Sequence, residues 1–158
     1  MSHLGCGCPG SMARVIERNE TKENETTAQA PSELRQWPVQ LHLVSPQAPY
    51  YQGADLLLAA DCTAFALGGF HEEYLKGKSL AILCPKLDSE QEIYVEKIRA
   101  LVEESGIKSL TVAIMQVPCC RGVLGLVARA LEGCSRKVPV RAVVVGLQGE
   151  VLQDGPIG

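Results

Sequence analysis

A chain of 158 residues with 46% hydrophobic content is long and apolar enough for one domain with a proper core. A formal net charge of -3 with no clustered Lys or Arg excludes nucleic acid as a partner, because a phosphate backbone calls for a concentrated basic surface. No apolar run approaches the roughly 20 residues that span a bilayer, and the N-terminus lacks the apolar core of a signal peptide, so the expectation is a cytoplasmic protein with no membrane partner.

Residues 1–13 (MSHLGCGCPGSMA) form a Cys/Gly-rich N-terminal segment without apolar periodicity. Gly5, Gly7 and Gly10 match the spacing of a dinucleotide fingerprint, but that motif works only between a strand and a helix, and no strand precedes it. Residues 14–31 are charged and rich in Thr, Glu and Asn, with almost nothing apolar after Ile16. They read as a flexible linker that cannot offset its ordering entropy by burial.

Residues 32–158 read as a single α/β domain. Residues 32–37 suggest a short helical turn. Residues 39–44 (VQLHLV) alternate in the manner of a first strand, on which His42 is expected to pack. After turn chemistry at 45–53, the continuous apolar run 54–60 fits a strand buried on both faces, ending at Asp61 and Cys62. Residues 63–77 read as a helix with Phe65, Phe70, Tyr74 and Leu75 toward the sheet and His71 at the surface. A third strand, 79–83, ends at Cys84. The helix after it, capped by Asp88 or Ser89, carries Ile93, Val95, Ile98, Leu101 and Val102 to a stop at Gly106. Residues 109–117 form the fourth strand, Cys119 and Cys120 sit in the turn after it, and a helix runs on to Gly133 and Cys134. Residues 139–146 form the fifth strand, and 148–152 add a short edge piece.

Strands and helices alternating at these lengths predict an open, mostly parallel sheet of about four to five strands, with helices on both faces in a flavodoxin or Rossmann-like three-layer arrangement. The weak step is the nine-residue link from 44 to 54, short for a parallel crossover.

Seven cysteines without an export signal argue against a disulfide framework. A single cysteine is most often a small buried hydrophobe. Here, however, Cys62, Cys84, and the pair Cys119 and Cys120 each follow a different predicted strand. Strands lie about 4.8 Å apart, so adjacent strand ends bring these sulfurs within the span of a small metal cluster. Cys62 and Cys120 both open predicted helices, whose N-termini favour the ligating thiolate. Lys86 and Arg121 are placed to offset the negative charge of a thiolate-held cofactor. Neither the Cys-x2–4-Cys knuckle of structural zinc nor the linear ferredoxin run is present. The reading is therefore an iron-sulfur cluster, most simply [4Fe-4S], with a non-cubane or five-cysteine variant if Cys8 joins. Two other readings stay open: a reductase that uses an open cluster site or the vicinal Cys119–Cys120 dithiol, and a metal-free regulatory or binding module.

Five segments carry a family likeness: 7–11 (GCPGS), 36–41 (QWPVQL), 59–62 (AADC), 84–88 (CPKLD) and 117–120 (VPCC). In these the chain resembles the domain that follows two ferredoxin-like motifs in small iron-sulfur proteins of anaerobic bacteria and archaea. The resemblance implies an electron carrier in anaerobic metabolism. It puts forward Cys8, Cys62, Cys84, Cys119 and Cys120 as cluster cysteines and leaves out Cys6 and Cys134. The ferredoxin motifs themselves are missing from this sequence, so the resemblance implies that electrons come from an external ferredoxin or a redox enzyme. A homodimer is left open.

Overall fold

The structure, a computed structural model, describes residues 12–17 and 30–158. Cys6 and the candidate ligand Cys8 lie outside the described residues, as does most of the expected linker.

The core is a five-stranded sheet in the order β4-β3-β5-β6-β7, built from β3 (Asp55–Ala60), β4 (Ser79–Leu83), β5 (Ser109–Met115), β6 (Val140–Val145) and β7 (Val151–Ile157). The first four are parallel, and β7 returns antiparallel to β6. The central strands are buried along nearly their whole length, which explains why their sequences are apolar runs and not alternations. A separate two-stranded ribbon pairs β1 (Arg14–Val15) with β2 (Gln36–Trp37). The expected linker is therefore anchored at its first residues, and residues 36 and 37 are extended where a helical turn was expected.

Two long helices, α2 (Gln91–Glu103) and α3 (Arg121–Glu132), pack against one another. Right-handed crossovers place them on one face of the sheet, and the β3-to-β4 connection, which runs in the opposite sense along the sheet, on the other. That connection is not the continuous helix expected at 63–77. Gly68 and Gly69 divide it into a single turn, α1 (Thr63–Ala66), and a π-helical turn at Phe70–Leu75. Phe70, Tyr74 and Leu75 are buried as expected, whereas Phe65 is 92% exposed.

The strand expected at 39–44 is not formed. Only Gln40 bridges the sheet, beside Ile82, and the chain then turns, with the Leu43 and Val44 amides donating to the Gln40 carbonyl. Lys97 holds this turn from α2: its Nζ donates to the carbonyls of Leu41, His42 and Val44 at 2.9, 2.7 and 2.9 Å. With no strand there, the short 44–54 link needs no crossover. The segment instead covers the outer edge of β4. The fully buried Gln36 amide acts as a missing strand, accepting from the Leu80 N–H at 3.1 Å and donating to the Leu80 carbonyl at 2.5 Å.

At the far edge, β7 is longer than the edge piece expected at 148–152. Pro156 is tolerated there because an outermost strand needs no second ladder. Among the described residues no helix is long and apolar enough to cross a membrane.

Candidate functional site

The chain runs from β3 outward to β4 and then back past β3 to β5, so the strand order reverses between β3 and β5. In open α/β sheets such a reversal splays the two connections to opposite faces, and the crevice left beyond the strands' carboxyl ends is the usual ligand position. Register fixes what lies there. Ala60 pairs with Leu83 and Ala59 with Ala113. Cys62 thus follows β3 by two residues, Cys84 follows β4 by one, and Cys119 and Cys120 close the turn after β5. The adjacency that the sequence argument required is met: β4, β3 and β5 are consecutive, and Cys62 and the Cys119–Cys120 turn flank the reversal point.

Three local features hold these loops together. The first is the loop 84–88, which closes on itself: the Cys84 N–H donates to Asp88 Oδ2 at 2.9 Å and the Asp88 N–H to the Cys84 carbonyl at 2.9 Å. Asp88 is therefore a loop clasp and not the helix cap expected of it; α2 starts at Gln91 with no side-chain cap. Tyr94 from α2 donates its hydroxyl to the same carboxylate. Burial and then that carboxylate push the Tyr94 phenol up. His42 packs its ring on Tyr94, centroids 4.3 Å apart, and donates to the Ser89 carbonyl at 3.0 Å. It packs, as expected, and holds the loop.

The second feature is Gly122, in the first turn of α3. A methyl group there would stand 3.1 Å from Pro85 Cβ and 3.3 Å from Pro85 Cγ. A side chain there would press the Cys84-Pro85 loop away, so the glycine lets it lie this close to the helix that Cys120 opens. The third is the short 3-10 turn Pro118–Cys120, whose proline fixes the backbone where β5 passes into α3.

Cys62 and Cys119 are exposed, Cys84 is half-buried and Cys120 is buried. The Cys120 thiol is pushed up, first by burial, against a backbone hydrogen bond with Met115 that lowers it, and further by its neighbours Cys119 and Cys62. Burial thus acts against the expectation that the helix N-terminus favours the Cys120 thiolate. Cys62 opens a helix of only four residues, too short to supply a comparable field. Cys119 and Cys62 thus lie near enough to Cys120 to add to its rise.

Beside them, Asp61 Oδ1 is buried and has no hydrogen-bond partner among the described residues. Burial raises the Asp61 carboxyl, a hydrogen bond with Gln40 opposes this, and Asp88 adds to the rise. Lys86 and Arg121 are exposed at the same edge, and neither forms an ion pair among the described residues. Cys134 lies elsewhere, at the far end of α3, buried with its Sγ on the Ala130 carbonyl at 3.3 Å. His71 is half-buried, and its Nδ1 accepts from the Glu33 N–H at 3.0 Å.

The donor set suits a soft metal: thiols from three loops on one sheet edge, one already paired with its neighbour. Among the described residues no three His, Cys, Asp or Glu side chains stand close enough together, as they point, to hold a metal ion. Sequence reasoning placed Cys62, Cys84, Cys119 and Cys120 at one sheet edge, and the topology puts them there. It missed Asp61, Tyr94 and Gly122, whose roles depend on contacts between segments; the Cys-Pro-x-x-Asp spacing of the loop clasp was the one local signal available.

Residues 48–157 match the family model of a Rossmann-like domain. A relative from Archaeoglobus fulgidus, described as an uncharacterized protein, is 32% identical over 119 residues, which cover 75% of this chain and 83% of the relative. No solved structure matches.

Proposed function

We propose that this chain, which belongs to the Rossmann-like domain family, uses the carboxyl edge of its sheet to hold an iron-sulfur cluster on Cys62, Cys84, Cys119 and Cys120 and works as a cytoplasmic electron carrier. The observation that supports this most is the placement of thiols at the ends of three consecutive parallel strands, around the point where strand order reverses. A cluster of this type supplies one-electron transfer at a potential set by its surroundings. The chain's part is to position and tune. The 84–88 clasp and the Gly122–Pro85 contact hold Cys84 against the loop of the vicinal pair. Lys86 and Arg121 lower the cost of collecting thiolate charge at one edge, and the apolar packing around Cys120 limits water there. Cys8 belongs to the proposal as a fifth ligand carried on the N-terminal segment.

A second reading is favoured by the exposure pattern at this edge, with Cys62 and Cys119 exposed and the vicinal Cys120 buried: a metal-free thiol couple in which exposed Cys119 or Cys62 reacts and buried Cys120 resolves. Anaerobic purification followed by iron and acid-labile sulfide analysis, with EPR of the reduced protein, separates the two. The cluster reading expects iron and sulfide together and a paramagnetic signal on reduction. A colourless protein that titrates reversibly as a two-electron dithiol would replace it with the second.

A further inference from the structure

The fold half buries three cationic side chains among the described residues, Lys78, Lys97 and Arg99. Lys97 donates to three carbonyls, and Arg99 Nε donates to the Ala130 carbonyl at 3.5 Å. Lys78 has neither an ion pair nor a side-chain hydrogen bond among the described residues. A cation drawn partly out of water with nothing to bond carries a desolvation cost that an anion offsets. Lys78 borders a cavity of about 360 Å³ at the amino edge of the sheet, a volume in the range of small-molecule sites. The cavity wall is built from Val15, Ile16 and Arg35 at the β1–β2 ribbon, Tyr50 in the turn before β3, and Lys78 and Ser79 where β4 begins.

Two of these residues have their hydroxyls engaged within the chain: Ser79 donates to the Tyr50 carbonyl, and Tyr50 donates to the Trp37 carbonyl at 3.4 Å. Arg35 is exposed and, like Lys78, forms no ion pair among the described residues. The cavity therefore has two uncompensated cations and no acidic residue in its wall. That lining selects an anion with more than one charge. A phosphate monoester brings nearly two negative charges and three acceptor oxygens at neutral pH, enough to meet a guanidinium fork and an ammonium together, whereas a carboxylate brings a single charge. The rest of the wall is apolar. Val15 is 62% exposed, on a strand of two residues with no core of its own to enter, and Ile16 and Tyr50 are half-buried. We propose that this cavity binds a small phosphate monoester, its phosphate held by Arg35 and Lys78 and its apolar body laid on Val15, Ile16 and Tyr50. The length of β4, about 17 Å, separates the cavity from Cys84, so the site does not depend on what the thiols hold.

The test is calorimetric titration of the full chain at neutral pH and fixed ionic strength, with inorganic phosphate, phenyl phosphate and benzoate as probes. Wild type is expected to bind phenyl phosphate one to one, at least about threefold more tightly than inorganic phosphate because of the apolar wall, and at least about tenfold more tightly than benzoate. Arg35→Gln and Lys78→Gln alter side chains that bond nothing among the described residues, and each should weaken phenyl phosphate at least about tenfold. Lys108→Gln, at an exposed cation of the same edge outside the cavity wall, should leave the affinity unchanged. Hydrogen exchange at Ile16, whose amide donates to the Arg35 carbonyl at 2.9 Å, should slow when the ester is bound. Absence of saturable phenyl phosphate binding up to about 10 mM would overturn the proposal. So would an affinity that survives both Gln substitutions, or one that falls equally in Lys108→Gln, which marks general charge attraction. Inorganic phosphate or benzoate binding as tightly as phenyl phosphate would remove the ester assignment and the proposal with it.

Discussion

Replacing Gly122 by Val probes the contact that links two of the cysteine loops. A Cβ at this position lies 3.1 Å from Pro85 Cβ, several tenths of an ångström inside a comfortable carbon–carbon distance, and the branched methyls of Val extend the clash. Removing a glycine from a helix gains at most about 1 kcal/mol, and less for a β-branched residue, whereas overpacking against a proline ring that cannot rotate away costs about 1–3 kcal/mol. The net is a loss of about 1–2 kcal/mol, or about 3–6 °C in Tm for a domain of this size. Gly122→Ala sits near the balance point and should change stability by less than about 1 kcal/mol. Both variants push the Cys84-Pro85 loop outward, so iron bound per chain should fall in the order wild type, Ala, Val. Thermal unfolding and iron analysis on the same preparations read the two effects separately. If Gly122→Val is as stable as wild type and holds as much iron, the loop contact does not organise the site.

Gln36→Leu leaves the Leu80 N–H buried at the β4 edge without its acceptor and should cost about 2–3 kcal/mol in urea unfolding, with iron content per folded chain unchanged. Lys97→Met removes the donor to three carbonyls while keeping much of the side-chain bulk. It should destabilise by a similar amount and raise hydrogen exchange in residues 41–44 ahead of the sheet. The Tyr51 phenol is raised, mainly by burial, so it stays protonated in the folded state where the unfolded chain, near pH 10, ionises. Stability should therefore fall as pH climbs above about 10, and Tyr51→Phe should flatten that fall, seen as a shallower drop of the urea midpoint between pH 9 and 11.

How legible the fold was depends on how each segment is buried. Strands covered on both faces, such as Asp55–Ala60 and Ser109–Met115, appear in the sequence as uninterrupted apolar runs, and the helices Gln91–Glu103 and Arg121–Glu132 as 3.6-residue periods. All four were found to within about three residues at each end. The failure at 39–44 has the opposite cause. Leu41 and Val44 are buried while Leu43 is half exposed, a pattern that a tight turn over a sheet edge shares with a short strand, and the Lys97 clamp that decides between them is 53 to 56 residues away. Phe65 misled for a related reason. An aromatic at helical spacing normally points inward, but the helix expected at 63–77 is cut to the single turn Thr63–Ala66, which buries Thr63 and leaves Phe65 in solvent. Of the site, the cysteines and the shared edge could be read from strand ends alone. The clasp left a local trace in the Cys-Pro-x-x-Asp spacing, whereas the Gly122–Pro85 contact and the burial of the Asp61 oxygen depend on segments that meet only after the sheet forms.

The central claim is that thiols from three strand ends make one site. The most direct measurement is iron and acid-labile sulfide per chain in anaerobically reconstituted Cys62→Ser, Cys84→Ser and Cys134→Ser, alongside wild type. The account predicts that the first two lose most of the iron while Cys134→Ser, altered at the far end of α3, keeps it. Equal iron in all four proteins, or none in the wild type, would contradict it.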